Sequence, residues 1–134
     1  MLIKWKEEYN TGFKEIDEQH RHIADVTNDL YEIMQKGEIN EKIQDLFNDI
    51  ISSAKEHFAL EEKYFDEFGF EDTENHKRIH GEFLAKVSDL HKDIEGREIE
   101  ISFELVDYLE DWFLDHLTTE DRKYIELFKS HGLT

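Results

Sequence analysis

The feature that most limits what this chain can fold into is a spacing of three and four residues that recurs along almost its whole length, with histidines and carboxylates falling in register on the apolar stripes. The first stripe runs Ile16, His20, Ile23, Thr27, Leu30, Met34, and the second Ile43, Phe47, Ile50, Ala54, His57, Glu61, Phe65, Phe68. The third runs His76, His80, Phe83, Val87, Leu90, Ile94, and the fourth Ile101, Leu105, Tyr108, Trp112, His116. Such steps put each set on one face of a helix. The pattern predicts helices over about 17–36, 40–68, 73–95 and 101–117, after an N-terminal arm carrying Trp5 and Phe13, with a last helical piece over about 119–130. Gly37, Gly69, Gly96 and Gly132 follow these segments, where a left-handed cap residue is wanted, and there is no proline to interrupt them. Short connections make neighbouring helices antiparallel. The expected fold is all-α: an up-down-up-down four-helix bundle with an N-terminal arm and a short C-terminal helix.

A chain of 134 residues suits one domain over 1–134, since two halves would each be too small for a core. The formal net charge of -18 repels phosphate backbones and anionic lipid headgroups, so nucleic acid and membrane surfaces are poor partners. No apolar run exceeds three residues, and MLIKWKEEYN at the start lacks the apolar stretch of a signal peptide, so a soluble, cytoplasmic protein is expected. The absence of cysteine removes disulfides, thiolate metal sites and thiol nucleophiles, and agrees with a reducing compartment.

Every stripe thus carries ligand-type residues into the core. Unpartnered, each buried ionised group would cost several kcal/mol, roughly the margin that keeps a domain folded. A bound cation removes the conflict. Each residue also has an ordinary explanation. A lone inward His20 is usually a hydrogen-bonded core residue. His57 and Glu61 could be a local helix pair. The His76 and His80 spacing is common, and Thr118-Thr119-Glu120-Asp121 reads as a capping box. Their coincidence on one interior surface is what points to metal. His22, His91 and His131 fall off the stripes or at the chain end and are expected to be solvated. Seven such ligands exceed the needs of one ion, and mixed imidazole and carboxylate ligation favours iron or manganese over calcium or magnesium. Neither the Glu-x-x-His of ferritin-like di-iron bundles nor the His-Glu-x-x-His of metalloproteases occurs.

The sequence resembles the hemerythrins, and in particular the single-domain bacteriohemerythrins, over essentially the whole chain. The matching pieces are Trp5 and Gly12, Ile16-Asp17-x-x-His20, His57-Phe58-x-x-Glu61-Glu62, His76-x-x-x-His80 and Trp112-x-x-x-His116-x-x-x-x-Asp121. It departs from the family pattern at Phe65, where methionine is usual, at Leu117, where isoleucine is common, and in having no proline before His76. The resemblance implies that His76, His80 and His116 hold one iron, that His20 and His57 hold the other, and that Glu61, Asp121 and an oxo or hydroxo group bridge them. Two octahedral irons offer about twelve positions, and these ligands leave one open, on the iron with two histidines. Dioxygen, or an anion such as azide, would bind there, in a dry pocket walled by Ile23, Phe58, Trp112 and Phe113.

The implied function is reversible oxygen binding by a carrier, store or delivery protein, not an enzyme. The alternatives are a di-iron oxidoreductase, such as a peroxidase, nitric-oxide reductase or iron oxidase, and an oxygen or redox sensor. A geometric condition comes with the ligand set. Five steps along an ideal α-helix leave His116 and Asp121 about 140° apart, so a π-bulge or a break at Thr118-Thr119 must turn Asp121 inward.

Overall fold

A computed structural model describes residues 3–36, 41–97 and 103–134, the side chains of 41–44, 90–97 and 103–105 excepted. Gly37 and Ile101, and the side chains of Ile43, Leu90, His91, Ile94 and Leu105, therefore lie outside the described residues. Four long helices, α1 (Lys14–Gln35), α2 (Glu41–Phe68), α3 (Thr73–Arg97) and α4 (Phe103–Thr118), are followed by a short α5 (Ile125–Ser130). Single 3-10 turns occupy Glu7–Tyr9 in the arm and Glu120–Arg122 between α4 and α5. Helices α1 and α2 pack together, α3 packs on α2, α4 closes on α1, and α5 sits against α2. The chain is an up-down-up-down four-helix bundle with an N-terminal arm and a short C-terminal helix.

Local chemistry explains the helix ends. The start of α1 has no side-chain cap at Phe13; instead Asp17 reaches back and accepts hydrogen bonds from the backbone N–H groups of Thr11 (2.8 Å) and Gly12 (3.1 Å) and from the Thr11 hydroxyl (2.8 Å). Three donors of the turn before α1 are thereby satisfied, and the Phe13 N–H goes to the Thr11 hydroxyl at 3.1 Å. At the other end of α2, Gly69 turns left-handed (φ 71°) and the Phe70 N–H returns to the Phe65 carbonyl at 3.0 Å. This is a Schellman cap with its usual apolar contact, since the Phe65 and Phe70 rings lie 4.8 Å apart. Thr73 then donates its hydroxyl to the Phe70 carbonyl at 2.5 Å, so the turn into α3 is fastened without a proline. Helix α3 runs to Arg97, which places Gly96 inside its last turn, not after it.

The arm is tied down at both ends. Asn28 pairs with the backbone of Ile3 through two hydrogen bonds of 2.7 and 2.8 Å. Arg122 donates to the carbonyls of Leu117, Asn10 and Glu8. Between these ties Ile3 and Tyr9 pack on Ile23, Ala24, Phe113 and Leu117.

Two expectations for the second half need correction. On α4 the buried residues are Val106, Leu109, Phe113, His116 and Leu117, while Tyr108 and Trp112 are half-buried at the edge of the core. The face is turned by about one residue, roughly 100°, because α4 presents Phe113 and Leu117 to α1 and the arm. The helical piece expected over 119–130 is broken into the 3-10 turn and α5, with Thr119 at φ -121°, ψ -68° between α4 and that turn.

Candidate metal centre

Apolar residues close the bundle on both sides of a polar layer. Toward one end lie Val26, Leu30, Ile50, Phe83 and Val87, and toward the other Phe13, Ile16, Phe65, Tyr124 and Phe128. Between them the structure brings together all seven polar residues singled out from the sequence: His20, His57, Glu61, His76, His80, His116 and Asp121 are each at most 4% exposed. Residues four apart on one helix share a face, which is how α2 delivers His57 with Glu61 and α3 His76 with His80. Asp121 arrives through the break after Thr118. The hydroxyls of Thr118 and Thr119 turn back to the carbonyls of Leu114 and Asp115, and Thr119 caps nothing with its side chain, so the capping-box reading does not hold. His22 is exposed and pairs with Asp49 at 3.2 Å, and His131 is exposed and stacks on Phe68, so both stand apart from the cluster.

All five histidines present Nε2 to the centre. His20 and His57 face each other at 2.7 Å, and His80 and His116 at 3.3 Å. The carboxylates span the two sets. Glu61 Oε1 lies 3.0 Å from His57 Nε2 and 3.5 Å from His80 Nε2. Asp121 puts Oδ2 3.1 Å from His20 and Oδ1 3.0 Å from His116 and 3.5 Å from His76. The ligand-type atoms sort into two groups, each within 4.8 Å: Glu61 with His76, His80 and His116, and Asp121 with His20 and His57.

Beyond the His20–His57 and His80–His116 contacts, these groups leave one another largely unsatisfied. Both oxygens of Glu61 and of Asp121, and Nε2 of His76, are buried without a hydrogen bond of acceptable geometry, although charged partners stand close by. Atoms that converge on a common point without bonding each other are arranged for something between them. Burial and Asp121 would raise the Glu61 carboxyl, yet His57 and His80 hold it down at about 2. Burial likewise opposes ionisation of Asp121, but His116 outweighs it and keeps that carboxyl well below the usual range. Burial pushes His20 and His80 down, toward the neutral form that can donate a lone pair. At His116 burial is overcome by Asp121, which raises it to about 9. Two ionised carboxylates thus draw positive charge into the core, and His116 holds a proton where a cation would do the same work. The donor set fits a pair of ions of the iron or manganese type.

Some functional groups left no signal on the helical stripes. Gln19 Oε1 accepts from Nδ1 of His57 at 2.8 Å, which fixes the tautomer that leaves Nε2 free. Glu62 stands 3.9 Å from Nδ1 of His80. Tyr124 is fully buried with its hydroxyl directed to Glu61, and burial, with Asp121 and Glu61 after it, raises the phenol well above its ordinary value. Only tertiary contact reveals these. Beside the cluster lies a cavity of about 20 Å³, lined by His20, Ile23, Thr27, Ile50, Ala54, His57, Phe58, Phe83, Leu109, Trp112, Phe113 and His116. Ile23, Phe58, Trp112 and Phe113 are all among its walls. Phe58 stacks on His80 (3.8 Å), and Trp112 lies flat on His116 (4.6 Å) and on Phe83 (4.0 Å).

Comparison with known proteins agrees with this geometry. Residues 11–128 match the model of the hemerythrin HHE cation binding domain. The chain is 29% identical to a bacteriohemerythrin of Stenotrophomonas maltophilia, covering 97% of this chain and 84% of that one, and 29% identical to one of Clostridium acetobutylicum, covering 93% and 100%. A myohemerythrin of Theromyzon tessulatum is 26% identical over 90% of this chain and 89% of its own. A crystal structure of a wild-type hemerythrin superposes with a TM-score of 0.87 at 26% identity, covering 95% of this chain and 98% of the other. With a buried His, Glu and Asp cluster suited to non-haem di-iron binding and a family model spanning most of its length, the chain belongs to the hemerythrin family and is similar nearly throughout to bacteriohemerythrins.

Proposed function

We propose that this protein binds dioxygen reversibly at a non-haem di-iron centre, as an oxygen carrier or store and not as an enzyme. In this reading His76, His80 and His116 would hold one iron and His20 and His57 the other, with Glu61 and Asp121 shared between them and an oxo or hydroxo group completing the pair. The two-sided contacts of Glu61 and Asp121 support the bridging role. When bound, the iron pair would supply one electron from each ion to dioxygen and recover both on release. Azide and similar small anions would compete for the same position. A single domain and a cytoplasmic location belong to the same reading, the packing of the described helices into one bundle supporting the first.

The observation that carries the proposal is the cavity. It has room for about one small molecule, and it opens on His20 and His57, while Trp112 covers the face of His116. Its lining holds no carboxyl, amine or thiol, its three imidazoles, His20, His57 and His116, would each give Nε2 to iron and hold no proton there, and the Thr27 hydroxyl is committed to the Ile23 carbonyl at 2.8 Å. Ile23, Phe58 and Phe113 exclude water from the same space, as reversibility requires. The test is an anaerobic oxygen titration of the iron(II) protein followed by ultraviolet-visible absorption. Repeated, reversible spectral cycles are expected; a single irreversible conversion, or rapid catalytic consumption of peroxide in stopped flow, would contradict the carrier reading.

A further inference from the structure

The seven residues of the cluster are almost wholly shielded from solvent, so an ion must enter through some part of the rim. One part of the rim is built for a cation. Asp72, in the turn that leads into α3, and Glu120, in the 3-10 turn, keep their side chains 37% and 21% exposed. Carboxylate oxygens of both lie within 4.8 Å of a ring nitrogen of His76. His76 is fully buried, its Nε2 turns inward to Asp121 at 3.5 Å, and its Nδ1 has no hydrogen-bond partner. That leaves Nδ1 as the nitrogen available to the outer carboxylates. Glu120 also immediately precedes Asp121, so the outer group and an inner carboxylate are consecutive residues of one turn.

We propose that Asp72, Glu120 and His76 form a loading port, a transient site at which a divalent transition-metal ion sheds water before passing to the buried cluster. The inference rests on the cluster being the resting site of such ions. Two carboxylates and an imidazole suit iron(II) or cobalt(II) better than calcium. In the absence of an ion the two carboxylates are held together by Lys123, whose Nζ stands 3.1 Å from Glu120 and 3.9 Å from Asp72. Asp72 takes a further hydrogen bond from Asn75 at 3.3 Å. An exposed ammonium in such a pair is weakly held, and a divalent ion displaces it. From the port the next acceptor inward is Oδ1 of Asp121, on the far side of the His76 ring.

The test separates the rate of loading from the final binding. The metal-free protein is mixed with cobalt(II) in stopped flow, its visible absorption giving the rate, and equilibrium occupancy is measured by titration against a chelator. Occupancy of two ions by the parent tests the centre itself; the rate tests the port. The double variant Asp72→Asn, Glu120→Gln should load roughly tenfold more slowly and reach the same occupancy and affinity. Lys123→Ala should load faster than the parent, and Glu82→Gln, which removes an exposed carboxylate paired with Arg78 away from the cluster, should load at the parent rate. An unchanged rate in the double variant overturns the port. So does weakened equilibrium binding in it, which would make these carboxylates supports of His76, or equal slowing in Glu82→Gln, which would reflect the acidic field of the whole surface. A rate in Lys123→Ala at or below the parent's overturns the displacement of the ammonium.

Discussion

Individual side chains in this core have meaning only as members of the cluster. Glu61 is fully buried, ionised and without a geometrically sound hydrogen bond, a combination that is costly unless a cation is supplied. His57→Ala and Glu61→Ala should therefore lose bound iron, while His22→Ala, which removes an exposed ring paired with Asp49, should keep the full complement. Metal analysis of the purified variants checks this, and equal iron in all three would remove the assignment. Tyr124 gives a second expectation at this scale. Its ring packs on Phe128 at 4.4 Å and Phe65 at 5.5 Å, and its hydroxyl is directed to Glu61. Removing that donor leaves the buried carboxylate less well paired, a loss of about 1 kcal/mol. Thermal melting of the metal-free Tyr124→Phe protein should show a lower midpoint; an unchanged or higher one would mean that the hydroxyl has no partner.

Elements decide where these residues point, and here the sequence was readable to different depths. His20, His57, Glu61, His76 and His80 were legible because regular helices carry them, and spacing alone fixes which residues share a face. Asp121 was legible as a condition: the five-residue separation from His116 required a break, and the break stands between Thr118 and the 3-10 turn. What the break does to the rest of the segment was not legible, because the choice between one helix over 119–130 and a turn plus α5 depends on Arg122 reaching three distant or irregular carbonyls. The face of α4 was misjudged by one residue for a similar reason. Tyr108 and Trp112 satisfy the periodicity as well as Leu109 and Phe113 do, and only packing on α1 and the arm chooses between them. Gln19 and Tyr124 left no periodic trace at all.

Element ends also carry stability. Gly69 holds φ 71° with open space where a Cβ would stand, so Gly69→Ala meets backbone strain and no clash. A loss of about 1 kcal/mol is expected, a few degrees in melting temperature, while iron content at low temperature stays complete. A melting point unchanged from the parent would mean that the Schellman turn relaxes without cost.

At the scale of the whole molecule, the bundle is an apolar container with one polar layer, closed on the cavity side by the arm. Ile3 and Tyr9 cover Ile23 and Phe113, which in turn wall the cavity. Trimming that wall by Phe113→Leu should leave iron content intact and speed conversion of the oxygenated protein to the oxidised, oxygen-free form. The decay of the visible spectrum in air measures it, and a parent-like rate would take Phe113 out of the barrier. The acidic surface, with formal net charge -18, concentrates cations around the container and is consistent with loading from outside.

The central claim is that the polar layer holds two irons and leaves a single position for an exogenous ligand, facing the cavity on the side of His20 and His57. The most direct measurement is a crystal structure of the iron-loaded protein with azide, with anomalous scattering recorded at the iron edge. The account predicts two iron peaks, one among His76, His80 and His116 and one beside His20 and His57, both contacting Glu61 and Asp121, with azide density on the second and extending toward Ile23 and Phe113. One peak alone, or azide bound at the iron held by three histidines, would contradict it.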